Sequence, residues 1–291
     1  MSSPSAESTQ AGGSASGEGL AYRERTAGLR SGGVANVTDA TPWVRAVRAS
    51  HDRLAGLVAG LDGDGLRAQS YDTEWSIADV LSHLGSGAEI FALYLAAGAN
   101  GGEPPSRDAF PGIWDTWNAR SPEEQAARSI EANEALVTQI ESLTPEQREA
   151  FEVAMFGPVP MDLAGFLGMR LSEHALHTWD VAVALDPAAR LAKDAVDLLI
   201  DTAPRMAGFI GKKAQAPAAI AVAVTGPERA FTLDTGGVSV LAAGAEDTTT
   251  ASLTLPAEAF IRLLAGRLDD AADLKASGVT LPELKAVFPG F

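Results

Sequence analysis

Residues 171–180 read LSEHALHTWD, within an apolar stretch of roughly residues 161–185 that predicts a long helix. Glu173 and His177 are four residues apart, so on a helix they project from one face. Asp180 follows His177 by three residues on the same side. Helical bundles hold metals with Glu and His side chains from facing helices. The stretch therefore indicates two ligands of a metal site in a bundle, although the same spacing also occurs between residues that simply contact each other on a helix surface.

A second helix supplies the candidate third ligand, His83. The helix is predicted to begin after Trp75, with Ser76 as its N-cap and Asp79 three residues later, as in a short capping box. Its apolar stripe comprises Ile77, Val80, Leu81, Leu84, Ala88, Phe91 and Leu95. His83 lies at the edge of this stripe. A His-Glu-His set with an open position is typical of catalytic metal sites; zinc suits these ligands best, and iron, nickel and cobalt remain open.

The histidines and Asp180 also allow interpretations without a His-Glu-His metal site. A single histidine on an apolar helix is usually a structural residue with a satisfied ring. His174 and His177, three residues apart, form an alternative ligand pair. Asp180 is equally compatible with orienting a ligand from behind and with a plain position on the helix surface.

Two more helices complete a predicted four-helix bundle. The first begins near Asp39, with Thr41 as candidate N-cap and Pro42 at the first helical position, and ends between Gly60 and Gly65. The other spans about residues 121–143, after a loop over 98–105, and a short helix restarts at Thr144. Long helices joined by modest loops are typical of a bundle.

The pattern changes after residue 190. Residues 191–213 are predicted to form one helix, and helices are also predicted over 256–268 and 282–287. Short runs with strand character lie at 219–224, 230–234, 238–242 and 251–255, with Gly-Pro and Gly-Gly turns between them. We therefore predict a bundle over residues 39–190 and a small α+β domain over 191–291. Residues 1–38 are rich in Ser, Gly and Ala and are predicted to form a disordered tail.

Composition excludes several classes of protein. The 291 residues carry a formal net charge of -16, which argues against binding to nucleic acid or to an anionic membrane surface. There is no cysteine, so disulfides, cysteine-ligated metals and a cysteine nucleophile are excluded. A helix that spans a membrane needs about 18 consecutive apolar residues, and no stretch of this sequence is expected to reach that length. The start of the chain lacks the features of a secretory signal, so a cytoplasmic location is expected.

Two segments resemble a known family. Residues 75–84, WSIADVLSHL, resemble the W-t-v-x-D-v-l-x-H-l segment of the mycothiol-dependent maleylpyruvate isomerase family, in the DinB-like superfamily. Glu173, His177 and Asp180 match its E-x-x-x-H-x-x-D segment, about 90 residues later, as in the family. In addition, Thr225-Gly-Pro227 and residues 260–268, FIRLLAGRL, look like the sterol-carrier-protein-like module that often follows the bundle. The likeness covers about residues 40–291.

The resemblance implies both a fold and a chemistry. The fold is a DinB-like four-helix bundle, followed by a small α+β sterol-carrier-protein-like domain. His83, Glu173 and His177 bind one divalent metal, and Arg267 is the candidate catalytic arginine by position, although a structural or surface role is equally compatible with it. Mycothiol, a cysteinyl pseudo-disaccharide thiol of actinobacteria, supplies the sulfur that the chain lacks. Thiol transfer to an electrophilic small molecule is the main prediction, and cis–trans isomerisation is the alternative.

Other functions stay open at the level of sequence. The chain is also compatible with a metal-free binding module that holds a hydrophobic ligand or a protein partner, with a regulator similar to anti-sigma factors, and with another kind of metal enzyme. A monomer and a homodimer are both compatible with the sequence. Stoichiometric metal is the property that separates the enzyme from the binding module.

Overall fold

Four long helices and three short ones build the N-terminal part of the computed structural model, which describes residues 39–155, 157, 159–217, 219–244, 248–269 and 273–290. The helices are α1 (Thr41–Val58), α2 (Gly63–Arg67), α3 (Ile77–Asn100), α4 (Phe110–Asn118), α5 (Pro122–Ser142), α6 (Pro145–Ala150) and α7 (Leu163–Leu185), with a 3₁₀ turn at Arg107–Ala109. The predicted bundle is confirmed, with α1, α3, α5 and α7 as its long helices. The predicted tail over 1–38 lies outside the described residues.

Helix starts follow the capping signals in the sequence. Ser76 and Asp79 form a full capping box at the start of α3, and the predicted apolar stripe of that helix is buried. Helix α5 begins with an equivalent box at Ser121. Thr41 is not an N-cap: it is the first residue of α1, and its N–H donates to the Asp39 carboxylate at 2.9 Å. The Asp39 side chain satisfies this amide, so the helix begins one residue earlier than predicted.

Close packing extends α3 beyond its predicted end. Gly98 was expected in a loop, yet it is helical and buried because its missing side chain makes room for the ring of Phe151. The helix stops at Gly101, whose φ of 63° lies in the left-handed region that favours glycine. Helices α2 and α4 were not predicted, because five and nine residues are too few to show a clear helical period.

The contact between Gly85 and Trp117 yields a stability prediction. A Cβ added at Gly85 would lie 2.2 Å from carbons of the Trp117 ring, which is buried. We expect Gly85→Ala to lower the free energy of unfolding by about 1–3 kcal/mol in urea denaturation. Gly56→Ala is the matched control, since nothing lies within 4 Å of its added Cβ; it should raise stability by up to about 1 kcal/mol. Equal effects of the two changes would contradict this packing.

The segment 191–213 is not one helix. It forms α8 (Lys193–Leu199), a 3₁₀ turn (Ile200–Thr202) and α9 (Ala203–Ile210). Pro204 explains the break, because its nitrogen has no hydrogen to donate and its ring obstructs the preceding helical turn. The chain therefore restarts with Pro204 in the first turn of α9.

A five-stranded mixed sheet forms the C-terminal part. Its strands are β1 (Ala219–Thr225), β2 (Arg229–Asp234), β3 (Ser239–Ala242), β4 (Ala251–Pro256) and β5 (Lys275–Ser277), in the order β3-β2-β1-β4-β5. Strands β1 and β4 are parallel, and the other pairs are antiparallel. The predicted α+β character is confirmed. Strand β5 was missed, because it has three residues, all exposed, and so has no apolar alternation.

Two helices accompany the sheet. Helix α10 (Ala257–Leu264) packs on one face of it, where the Phe260 ring stacks on Phe231 at 5.6 Å, and α11 (Leu281–Val287) follows β5. Helix α10 ends four residues before the predicted Leu268, because Gly266 has a φ of 70°. The turn at Gly266 places Arg267 next to the bundle. The described residues between 39 and 290 form one compact unit; the division at residue 190 stays a prediction.

Helix α3 is the core helix of the bundle, and it corrects one expectation. By length and composition it is apolar enough to cross a membrane, although no such stretch was predicted. In the fold, 67% of its most apolar window is buried inside the protein. This burial is typical of a core helix, for which length and apolarity are weak evidence of a membrane span.

Candidate metal centre

The structure brings together His83 from α3 with Glu173 and His177 from α7. Their candidate ligand atoms all lie within 4.8 Å of one another. Oε2 of Glu173 is 3.3 Å from Nε2 of His83 and 3.9 Å from Nε2 of His177. Two imidazole nitrogens and one carboxylate oxygen facing one point suit a divalent transition metal. That these three residues bind a metal stays a prediction at this point.

Trp75 lies beside both histidines. Its ring centroid is 5.2 Å from that of His83 and 6.0 Å from that of His177, onto which it stacks. The two imidazoles are themselves 4.6 Å apart, edge to face. Trp75 directly precedes the capping box that starts α3, so the same turn fixes the helix and covers the cluster on one side. From sequence, Trp75 marked the start of a helix and opened the family motif, but its position beside both imidazoles was not predicted.

Asp180 supports the cluster from behind. Its side chain is fully buried, and its Oδ2 lies 2.8 Å from Nδ1 of His177. The interpretation of Asp180 as a helix-surface residue is therefore wrong. Since the buried Asp180 carboxylate accepts a hydrogen bond from the Nδ1–H group, the lone pair of His177 is assigned to Nε2, which faces Glu173 and His83. A carboxylate behind a histidine in this way orients metal-binding imidazoles.

Arg267 reaches this carboxylate from the C-terminal part. Its Nε and Nη2 both donate to Asp180 at 2.8 Å, and its Nη1 donates to the carbonyl oxygen of Ala265 at 3.0 Å. Nη2 is also 3.5 Å from Nδ1 of His177. Arg267 is 9% exposed, so it is not a surface residue. That Arg267 is catalytic stays a prediction. The Asp180 side chain links Arg267 to His177.

The pKa values of the cluster favour ligand binding. Burial alone raises the pKa of Glu173, but its bond with His83 and the neighbouring imidazoles and Arg170 lower it to about 2. Burial lowers the pKa of His177 more than its bond to Asp180 raises it. The pKa of Asp180 stays below its usual value, because His177 and Arg267 outweigh the effect of burial. Metal ligands must be deprotonated, and at neutral pH Glu173 and His177 are.

The other histidines do not join the cluster. Nδ1 of His174 lies 2.8 Å from the Ser50 hydroxyl in the core between α1 and α7. The alternative pair of His174 with His177 is therefore wrong, because the His174 ring is held in this core while His177 lies with Glu173 and His83. His51 is also buried, and its Nε2 lies 2.9 Å from Glu134 on α5. Both are buried, as expected of a structural histidine, but Nδ1 of His51 and Nε2 of His174 have no hydrogen-bond partner among the described residues, so neither ring is fully satisfied.

A large cavity of about 1150 Å³ opens onto the cluster. Residues 71–75, one face of α7, one face of α9, the turn at 265–267 and residues 289–290 line it, together with His83. The bundle thus supplies the candidate ligands, and the segments after α7 supply the opposite wall. This cavity could not be predicted from the sequence, since it depends on how distant segments pack.

The fold and the cluster define a class: a helical bundle that presents a two-histidine, one-glutamate set to an open cavity, with a small mixed sheet after it. Residues 47–182 match the family model described as the mycothiol maleylpyruvate isomerase N-terminal domain. Over these residues the chain is similar to the N-terminal domain of the mycothiol-dependent maleylpyruvate isomerase family. The resemblance drawn from the two motifs is confirmed.

Two solved structures share the fold over most of the chain. One is the crystal structure of the mycothiol-dependent maleylpyruvate isomerase, at 15% identity and a TM-score of 0.61, covering 83% of this chain and 94% of that one. The other is a histidine-to-alanine mutant of that isomerase, at 14% identity, with the same coverage and TM-score. At these identities the likeness concerns the fold. No curated protein matches the sequence.

Proposed function

We propose that this chain is a metal-dependent enzyme that uses mycothiol as its thiol cosubstrate. The observation that carries the proposal is the convergence of His83, Glu173 and His177 at the mouth of a cavity large enough for two small molecules. The match of residues 47–182 to the N-terminal domain of the mycothiol maleylpyruvate isomerase supports the choice of thiol. The absence of cysteine from the chain agrees with sulfur supplied by a cosubstrate.

Each residue of the cluster has a proposed task. His83, Glu173 and His177 hold the metal, for which zinc is the first choice because the ligand set is two nitrogens and one oxygen. A bound divalent metal supplies the acidity that turns a coordinated thiol into a thiolate, which is the nucleophile. Asp180 keeps Nε2 of His177 unprotonated and in place. Arg267 holds Asp180 and provides a positive charge at the cavity wall, where charge develops on a substrate carbonyl oxygen.

The reaction favoured by the comparisons is cis–trans isomerisation. The thiolate adds to an alkene carbon conjugated with a carbonyl group, and the π electrons move onto the carbonyl oxygen. Rotation about the former double bond follows, and the oxyanion then returns its electrons and expels the thiolate. No atom or electron is consumed, so the thiol is regenerated. Permanent S-transfer, the main prediction from sequence, shares the addition step but has no specific support in the comparisons.

The proposed function is tested by the thiol requirement of the metal-loaded protein. We expect the protein to convert maleylpyruvate, or another cis-unsaturated ketone, to its trans isomer when mycothiol is present. The change in ultraviolet absorbance measures this conversion. Omitting mycothiol or removing the metal with a chelator should return the rate to background, and mycothiol should not be consumed. Consumption of the thiol in step with the substrate would favour S-transfer. Full activity without thiol or metal would contradict the proposal.

A further inference from the structure

Arg262 is a buried arginine on α10 that does not line the cavity. Its side chain is 2% exposed. Nε donates to Oε1 of Glu258 at 2.8 Å, and Nη2 donates to Oε2 at 3.3 Å. Glu258 also accepts a hydrogen bond from the N–H of Leu191 at 3.1 Å. Because a buried ion pair often stabilises a fold no more than apolar residues of the same size, packing alone does not explain an arginine here.

Arg262 bonds to the backbone of Arg267 at both of its polar groups. Nη1 of Arg262 donates to the carbonyl oxygen of Arg267 at 3.2 Å and to Oδ2 of Asp269 at 3.2 Å. The N–H of Arg267 donates to the carbonyl oxygen of Arg262 at 2.7 Å. Gly266 turns the chain directly before Arg267, with a φ of 70°. The two bonds therefore hold the backbone from which the Arg267 side chain extends to Asp180.

The guanidinium group of Arg262 also contacts the bundle. Its central carbon lies 5.0 Å from the centroid of the Trp179 ring, which is a cation–π contact. Trp179 directly precedes Asp180 on α7, and Asp180 accepts two bonds from Arg267 at 2.8 Å each. A single planar side chain thus contacts both the backbone of Arg267 and the residue next to its bonding partner. Its rigid plane fixes how far the turn at 265–267 lies from α7.

We propose that Arg262 is a positioning residue for Arg267. It holds the backbone of Arg267 where the side chain can donate two bonds to Asp180, and Asp180 in turn orients the His177 ring. The effect on a bound metal rests on the proposed function, but the bonds themselves form without a metal. An apolar residue could fill the volume of Arg262, yet it has no N–H group for the carbonyl oxygen of Arg267.

NMR of the metal-free, full-length protein tests the positioning directly. The Nε–H of Arg267 donates to the buried Asp180 carboxylate, so its proton should exchange slowly with water in the wild type. The signal is assigned by its loss in Arg267→Met. In Arg262→Met the exchange should be at least about 10-fold faster, because the backbone of Arg267 loses one of the bonds that hold it. Wild-type exchange in a folded Arg262→Met protein would overturn the proposal.

A second variant covers the case in which Arg262→Met does not fold. Arg262→Met leaves the Glu258 carboxylate without its partner, and adding Glu258→Gln removes that charge while keeping an oxygen acceptor. The same faster exchange is expected in this double variant. Arg229→Met is the matched control: Arg229 is an exposed arginine that pairs with Asp201 at 2.7 Å, and the Arg267 signal should keep its wild-type exchange. Equal changes in the control and in the double variant would overturn the proposal.

Zinc affinity tests the connection to the metal. The double variant Arg262→Met with Glu258→Gln should bind zinc about 10-fold more weakly, which is the smaller of the usual losses when the support behind a metal-binding histidine is removed. In a chain that already carries Arg267→Met, the same two changes should cause no further loss, because Arg262 acts through Arg267. Wild-type affinity in the double variant, or losses that multiply, would overturn the proposal and leave Arg262 a purely structural residue.

These measurements separate the inference from the proposed function. If the chain binds no zinc, the proposed function fails, and the exchange of the Arg267 signal alone decides the inference. If thiol-dependent isomerisation occurs while this exchange is unchanged in Arg262→Met, the inference fails and the proposed function stands.

Discussion

Asp180→Ala is expected to lower the free energy of unfolding by about 3–5 kcal/mol, the usual cost of removing one partner of a buried ion pair. The change leaves Arg267, 9% exposed, without the two bonds that its guanidinium makes to the carboxylate. It also leaves Nδ1 of His177 without an acceptor. Urea denaturation of the metal-free protein measures the effect without a contribution from a bound ligand.

Controls distinguish this effect from a general loss of charge. Asp115→Ala removes an exposed carboxylate on α4 and should change stability by less than about 0.5 kcal/mol. The double change Asp180→Ala with Arg267→Ala should lower the free energy of unfolding by less than the sum of the two single changes. Each single change leaves the other residue buried without its ion-pair partner. A loss below about 1 kcal/mol in Asp180→Ala, or additive single changes, would contradict the proposed support of the cluster.

The same pair sets a pH dependence. The pKa of Asp180 is lower in the folded chain than its ordinary value, so its ionisation stabilises the fold above the pKa of the unfolded chain, about 3.9. This contribution is lost as the pH falls through the folded pKa. The difference in stability between the wild type and Asp180→Asn should therefore narrow below about pH 4 and stay constant above about pH 5.

His83→Ala is expected to weaken zinc binding by at least about 100-fold and to reduce thiol-dependent turnover to background. His83 is the ligand that α3 contributes; without it only Glu173 and His177, both on α7, remain. Two ligands from one helix leave the metal with little geometric constraint, and catalytic zinc sites generally have three protein ligands. Competition with a chromophoric chelator gives the affinity, and the isomerisation assay gives the turnover.

The control for His83→Ala lies on the same helix. Glu89→Ala removes an exposed carboxylate from α3 outside the cluster and should leave zinc affinity and turnover unchanged. His83→Ala should also keep its helical circular dichroism, because His83 is only half-buried at the edge of the apolar stripe. Wild-type zinc affinity in a folded His83→Ala protein would remove His83 from the site.

The bundle could be predicted because its signals are local. Capping boxes at Ser76 and Ser121 fix two helix starts, and the apolar period over α3 decides which face is buried. The candidate ligands on α7 follow from a spacing of four residues. The prediction of His83 as the third ligand needed more than local spacing. Only the apolar stripe of α3 and the family resemblance indicated that this helix faces α7.

The parts that could not be predicted depend on contacts between distant segments. Arg267 reaches Asp180 across 87 positions of sequence, because Gly266 turns the chain after α10. No local pattern tells that Asp180 is buried, or that α9 forms one wall of a cavity. Pro204 did carry a local signal, and a helix over 191–213 was predicted in spite of it. Trp75 carried only its place before the capping box and at the head of the family motif, and neither shows that its ring lies against both histidines.

The central claim is that His83, Glu173 and His177 bind one metal ion, and elemental analysis tests it most directly. The measurement compares the purified, untagged wild-type protein with Glu173→Ala after both have been incubated with zinc and desalted. The account predicts close to one zinc per chain in the wild type and a large loss in Glu173→Ala. No metal in either protein would contradict the metal centre and favour a binding module, and equal metal in both would place the ion elsewhere.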